Sequence, residues 1–288
     1  MRLFLAGVRC EERLLDGSLK QRRFCADGDV MVREKNAPIA VFDSGMGGIS
    51  VLRELVKLMP REDFLYFGDS KNAPYGTREL PEIQELTIRN IQHLMNRGCK
   101  AVAVACNTAT SAAVRKLREM YPNFPIVGIE PAVKPACMEN PGGKVLVMAT
   151  PMTVRLGKLH LLCERFRHVA EIETLSCPGL MEFVEEGRDQ TPELMHFLEE
   201  LLAPYRDVDA VVLGCTHYPF VRKQVQELMG DSVKIYDGAA GTARELLRRI
   251  RLEDLETESK ELGSVIFENS DPTEERMERM KNLFRREE

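Results

Sequence analysis

Two segments of the chain end alike: Ala101-Val102-Ala103-Val104-Ala105-Cys106-Asn107-Thr108 and Ala210-Val211-Val212-Leu213-Gly214-Cys215-Thr216-His217. Each is an apolar run of strand length, followed by a cysteine and a cluster of short polar side chains. A buried strand of an α/β protein presents chemistry in this way, at its carboxyl end. A helix start after each cysteine, and a histidine two residues beyond Cys215, would favour the thiolate. One such cysteine suggests a nucleophile with a histidine partner, as in a thiol hydrolase. Two equivalent ones fit inversion at a carbon centre, where one group removes a proton from one face and the other supplies one to the opposite face. A zinc site built from Cys106, Cys215 and His217 is an alternative that lacks close ligand pairs.

Two further segments carry polar groups at strand ends. Asp43-Ser44-Gly45-Met46-Gly47-Gly48 follows a short apolar run and precedes an amphipathic helix through Val51, Leu52 and Leu55. Its glycines allow a tight turn, and backbone N–H groups at a helix start attract a carboxylate or phosphate. Asp43 would repel phosphate there, but could bind an ammonium group or orient a catalytic neighbour. Phe67-Gly68-Asp69-Ser70-Lys71-Asn72-Ala73-Pro74-Tyr75-Gly76 reads either as a surface connection or as a wall over a ligand, with Tyr75 at its tip.

The elements that must position these groups alternate along the chain. Strand-like runs lie at Ile39–Phe42, Phe64–Phe67, Ala101–Ala105, Ile126–Ile129, Val145–Met148, Val211–Leu213, Val233–Tyr236 and Ser264–Phe267. Amphipathic stretches separate most of them. Glu79 to Arg97 carries Ile83, Leu86, Ile91 and Leu94 at helical spacing and stops at Gly98, and Val221 to Met229 stops at Gly230. The last helix is expected to start with Asp271 as cap, Pro272 at its first position and Glu274 and Glu275 in its first turn. This alternation implies a mostly parallel sheet covered by helices on both faces. A closed eight-stranded barrel competes with it, but the repeated cysteine segment favours two similar halves with the site between them.

Composition sets outer bounds. At 288 residues and net charge −5, the chain has room for two cores and no excess of positive charge for a nucleic-acid surface. No apolar stretch approaches the ~20 residues that span a bilayer. The eight cysteines are scattered without a C-x-x-C pair, which fits free thiols in a reducing cytoplasm. Cys99, Cys137 and Cys163 read as inert buried residues. Residues 1–36 mix eight basic and six acidic residues without periodicity. They read as an extension, either frayed, preceding a start near Met31, or regulatory.

Taken together, Phe42-Asp43-Ser44-Gly45-x-Gly47-Gly48, Pro74-Tyr75-Gly76, Ala105-Cys106-Asn107-Thr108-Ala109 and Gly214-Cys215-Thr216-His217-Tyr218-Pro219 resemble the cofactor-independent glutamate racemases of bacterial cell-wall synthesis. Glu130-Pro131, Thr150-x-x-Thr153, Cys177-Pro178 and Val184-Glu185-x-Gly187 add to the likeness, which runs from about Ile39 to about Gly241. The resemblance implies two Rossmann-like or flavodoxin-like domains with the active site in the cleft between them. The first would comprise 37–130 with 238–288 and the second 131–237. It implies a two-base mechanism without cofactor or metal, in which Cys106 and Cys215 exchange protons with the substrate, Asp43 assists Cys106 and His217 assists Cys215. Asp43, Ser44, Tyr75, Gly76, Asn107, Thr108, Thr216 and His217 would hold the substrate, with Thr150, Thr153 and Glu185 as secondary contacts. Met152 stands where the family more often has glycine. Related racemases of aspartate or another amino acid, and a catalytically idle relative, are the alternatives. A homodimer and activation by a cell-wall precursor nucleotide are further implications; residues 1–36 contain no nucleotide-binding motif.

Overall fold

The computed structural model describes residues 9–12 and 33–286. Most of the 1–36 extension therefore lies outside the described residues. Its Arg9–Glu12 forms strand β1. The remaining strands are β2 (Ile39–Asp43), β3 (Phe64–Gly68), β4 (Ala101–Val104), β5 (Ile126–Gly128), β6 (Lys144–Ala149), β7 (Glu171–Ser176), β8 (Ala210–Leu213), β9 (Lys234–Asp237) and β10 (Ser264–Asn269). The helices are α1 (Ile49–Leu58), α2 (Leu80–Asn96), α3 (Asn107–Met120), α4 (Val133–Glu139), α5 (Pro151–Arg155), α6 (Gly157–Glu164), α7 (Leu180–Glu185), α8 (Pro192–Leu202), α9 (Arg222–Met229), α10 (Ala239–Leu252) and α11 (Glu274–Arg285).

The strands form two open sheets rather than the alternative closed barrel. The first has the order β1-β10-β3-β2-β4-β5 and the second β7-β6-β8-β9, and every pairing is parallel. Parallel strands need crossovers, and the helices that supply them cover both faces. Ile39 and Val41 pack with α1, α10 and α11, while Ala40 and Phe42 pack with α2 and α3. That two-sided burial is why β2 is an unbroken apolar run. In the second sheet Val145 and Val147 face α4 and α6, and Leu146 and Met148 face α7, α8 and α9. One apolar cluster is continuous from Met46 and Ile49 beside the first sheet to Leu213 and Tyr218 in the second. Each fully buried Leu or Ile in it contributes about 1.5–3 kcal/mol of apolar burial, so the two halves are joined by core rather than by a bare linker.

Both sheets reverse direction of winding at one point. In the first, the chain leaves β2 to form β3 on one side and crosses to β4 on the other, so the switch lies at the carboxyl ends of β2 and β4. In the second it lies at the ends of β6 and β8. Open α/β sheets bind ligands at such points, because the helices diverge there and leave a crevice. Asp43 ends β2, Cys106 follows β4, Thr150 follows β6 and Cys215 follows β8.

The sequence reading needs two corrections. Strand β7 escaped it: Glu171-Ile172-Glu173-Thr174-Leu175-Ser176 is an edge strand with half of its positions exposed, so it carries no apolar run. The last helix is capped by Thr273, whose side chain accepts from Arg276 N–H, and not by Asp271. Pro272 thus precedes the cap, and Asp271 instead accepts from the Arg276 guanidinium. Gly98 and Gly230 do end their helices, both with positive φ. Among the described residues no helix is long and apolar enough to cross a membrane.

Candidate active site

Cys106 is the N-cap of α3, and its sulfur accepts from Ala109 N–H at 3.4 Å. Ser44 Oγ lies 3.3 Å from the same sulfur. The helix start should favour a thiolate, yet burial dominates: with the nearby Asp43 carboxylate it pushes the thiol up to about 12. The expectation of an acidified thiol is overturned here, because desolvation of a buried anion exceeds what two hydrogen bonds return. Cys215 is among the charges that raise the Cys106 thiol, so the two sulfurs lie within electrostatic reach of each other.

The second thiol has a different environment. His217 Nδ1 is 3.6 Å from Cys215 Sγ, and His217 Nε2 is 2.7 Å from Glu185 Oε1. Gly47 N–H also points at Nε2, 3.2 Å away. A nitrogen whose proton is given to a carboxylate has no lone pair to offer, so the shorter, charge-assisted contact sets the tautomer. The ring therefore donates to Glu185 from Nε2 and faces the thiol with Nδ1. Burial pulls His217 down, but its bonds to Cys215 and Glu185 outweigh that and hold it well above the ordinary histidine value. Glu185 is held below its usual range: burial opposes this, and the bond to His217 overcomes it. Carboxylate, imidazole and thiol thus form a line along which a proton can be held or passed.

The glycine loop is where the halves meet. A Cβ on Gly45 would stand 2.2 Å from Glu185 Oε1, and one on Gly47 would stand 2.4 Å from His217 Nδ1. Neither glycine has positive φ. They are bare to admit groups from the second half, not to make a turn. The anion expected at the start of α1 is the protein's own, since Met46 N–H donates to Glu185 Oε1 at 2.6 Å. Asp43, fully buried, accepts from Gly45 N–H at 2.9 Å and from Thr216 Oγ1 at 3.1 Å. Burial raises its pKa against those two bonds and the His217 charge.

The other predicted residues divide into two groups. Thr108, Thr150 and Thr153 converge, with hydroxyls 3.0 and 3.2 Å from Thr108 and 2.9 Å from each other, across the cleft. Thr150 also caps α5, and Gly76 lies against it, where a Cβ would come within 3.0 Å of the Thr150 Cβ. Asn107 is buried, and its Oδ1 has no hydrogen-bond partner. An orphaned buried acceptor is an uncommon cost, and a bound ammonium group would remove it. Tyr75 is placed otherwise: its hydroxyl donates to Asp69 Oδ2 at 2.6 Å and its ring packs on Phe42, so only its backbone is left for a ligand. Glu185 supports His217 rather than standing as a secondary contact alone.

Three supporting residues were not anticipated. Asp69 also accepts from Asn90 at 2.8 Å, pinning the Tyr75 loop. Tyr66 donates to Gly45 O at 2.8 Å from beneath the glycine loop. Ser50 Oγ lies 2.9 Å from Gly47 O and 3.0 Å from Thr216 O, joining the halves. Tyr66 and Ser50 sit in ordinary strand and helix patterns, so nothing local marks them. Among the described residues, no group of three His, Cys, Asp or Glu is arranged to hold a metal ion, and the six cysteines from Cys99 onward are free.

Comparison with known proteins adds to this geometry. The profile of the family described as Asp/Glu/Hydantoin racemase matches residues 41–246. A glutamate racemase of Clostridium perfringens is 47% identical over 252 residues, covering 87% of this chain and 97% of that protein. The crystal structure of glutamate racemase from Francisella tularensis in complex with D-glutamate is similar, with a TM-score of 0.77, 26% identity and coverage of 88% and 95%. That of Escherichia coli glutamate racemase with L-glutamate and the activator UDP-MurNAc-ala has a TM-score of 0.73, 30% identity and coverage of 85% and 95%.

Proposed function

Because the chain belongs to the Asp/Glu/hydantoin racemase family, we propose that it interconverts L- and D-glutamate by a cofactor-independent two-thiol mechanism, supplying D-glutamate for peptidoglycan. The observation that carries the mechanism is the pair of buried thiols at matched switch points, one capping a helix beside Asp43 and the other in line with His217 and Glu185. The domains would be 37–130 with 238–288 and 131–237, closing on the substrate from either side.

In this reading the substrate ammonium lies between Asp43 and the unpartnered Asn107 Oδ1. Its positive charge offsets the Asp43 field and draws the Cys106 thiol down from its raised value, readying it as substrate binds. In one direction Cys106 removes the α-proton while Cys215, with its proton balance kept by His217, delivers one to the opposite face. In the other direction the roles exchange. The α-proton is weakly acidic, so the developing carbanion needs donors already aimed at the α-carboxylate. Ser44, Thr108 and Thr216 are buried short donors now bonded to Cys106, the threonine cluster and Asp43. Binding exchanges those contacts for the carboxylate rather than creating donors from water.

Incubating the purified protein with L-glutamate in D₂O without added cofactor tests this, following optical rotation and α-deuteration. Loss of rotation is expected; its absence would sink the activity. Racemisation surviving in both Cys106→Ala and Cys215→Ala would sink the two-thiol mechanism while leaving the substrate open, and L-aspartate in place of L-glutamate tests the neighbouring specificity. We also infer activation by a cell-wall precursor nucleotide, because a relative was solved with the activator UDP-MurNAc-ala, and, from the family resemblance, a homodimer in the cytoplasm. Sedimentation tests the dimer, and assays of the full chain and a 1–30 deletion, with and without precursor, test the activation.

A further inference from the structure

The C-terminal helix α11 packs on β10 and α1, in the first half of the molecule, yet its Arg279 and the following Arg286 grip the second half. Arg279 Nε donates to Val184 O at 2.9 Å, and its Nη2 lies 3.4 Å from Asp189 Oδ1. Arg286 pairs with the other oxygen of the same buried carboxylate. Gly187 between them has φ +78, and a Cβ there would stand 1.8 Å from Arg279 Nη1, so the guanidinium lies directly on bare backbone. The Asp189 carbonyl accepts from Gln224 of α9, at 3.2 Å. The turn between α7 and α8 is thus held on one side by α11 and on the other by α9. Glu185, the last residue of α7, leads into that turn with its carboxylate on His217.

We propose that Arg279 is a positioning residue for the Cys215 arm. By fixing Val184 and Asp189 on either side of Glu185, it holds the carboxylate against His217 Nε2, so the second thiol is competent only when α11 is docked. A helix of the first half therefore sets the proton relay of the second. The geometry explains the use of arginine: one planar fork serves a helix-end carbonyl and a carboxylate at once, which a lysine ammonium on a flexible stem cannot do. The inference rests on reading Glu185, His217 and Cys215 as a proton relay in the racemisation above.

The test is a double-mutant cycle. Arg279→Met, Arg279→Lys and Glu185→Ala are made singly, and Arg279→Met is also made in the Glu185→Ala background. Each is assayed for kcat, KM and the pH dependence of kcat with L- and D-glutamate. Arg279→Met is expected to lower kcat on the order of tenfold to a hundredfold with KM little changed, as a slight misplacement of a catalytic group does. The pH limb belonging to His217 moves to lower pH, because a displaced carboxylate no longer supports the imidazolium. Arg279→Lys falls between. In the Glu185→Ala background, Arg279→Met costs little more, since the group it positions is already gone. Additive losses, or a fall in kcat with an unmoved pH limb, would show that Arg279 only stabilises the fold and would overturn the proposal. If Arg279→Met melts before assay, Asp189→Asn and Arg279→Lys carry the same cycle. Wild-type protein that fails to racemise glutamate overturns the underlying reading instead, and is measured first.

Discussion

Replacing Glu185 by glutamine isolates one charge in the site. Glu185 Oε1 accepts from both Met46 N–H, at 2.6 Å, and His217 Nε2, at 2.7 Å. A glutamine Oε1 can keep both bonds in the same place, so the shape survives and only the negative charge is lost. Hydrogen bonds to charged groups contribute about 1.5–3 kcal/mol and neutral ones about 0.5–1.5. The difference, about 1–1.5 kcal/mol, corresponds to roughly one pKa unit on His217 at 1.36 kcal/mol per unit. It also corresponds to about a fivefold to twelvefold loss of rate if the imidazolium forms in the transition state. Glu185→Ala additionally leaves the Met46 N–H without its acceptor and should cost about ten times more. Circular dichroism of glutamate racemisation between pH 6 and 10, with the ring-nitrogen shifts of His217 by NMR, measures both quantities. A Glu185→Gln enzyme with unaltered kcat and an unmoved His217 titration would refute the relay.

Gly47→Ala should keep the fold but lower kcat on the order of a hundredfold, since its Cβ would meet His217 Nδ1 at 2.4 Å; Gly241→Ala, with nothing within 4 Å, is the matched control that should leave kcat intact. Tyr75→Phe removes the 2.6 Å bond to buried Asp69 and should destabilise by about 1–3 kcal/mol in urea unfolding; an unchanged midpoint would show the loop is anchored elsewhere. Stability should also respond to pH through the Glu185–His217 pair. Glu185 is depressed from 4.5, so its contribution is present above that value and lost as pH falls through its folded pKa. His217 is raised from 6.5, so its contribution is present below that value and lost as pH rises through its folded pKa. Thermal midpoints of the wild type should therefore decline on the alkaline side at higher pH than those of Glu185→Gln. Coincident alkaline declines would show that the carboxylate does not support the imidazolium.

Much of the fold was legible because central parallel strands are buried on both faces and must be apolar throughout. Six of the eight runs announced themselves in that way, while β5 and β9 lie at sheet edges. Strand β7 did not, since half of an edge strand faces water and its alternating glutamates satisfy that face. The last helix cap was misplaced by two residues because Asp271, Pro272 and Thr273 all suit a helix start, and only backbone geometry chooses among them.

For the candidate site, residue type and strand-end position marked Cys106, Cys215, Asp43 and His217 as candidates, since each chemistry needs its own functional group at a carboxyl end. What the sequence could not supply is which groups touch. The glycines of the Asp43 loop looked like turn formers, but they make room for Glu185 and His217 from the other half. The Cys106 thiol looked acidified by its helix, but it is raised by burial. Tyr75 looked like a wall over the ligand, but its hydroxyl is spent on Asp69. Propensity and periodicity are local, so the chain alone determined a parallel α/β fold with two thiols at strand ends. Desolvation, close approach and ion pairing arise between segments far apart in sequence, so only the tertiary structure decided how those thiols are charged and held.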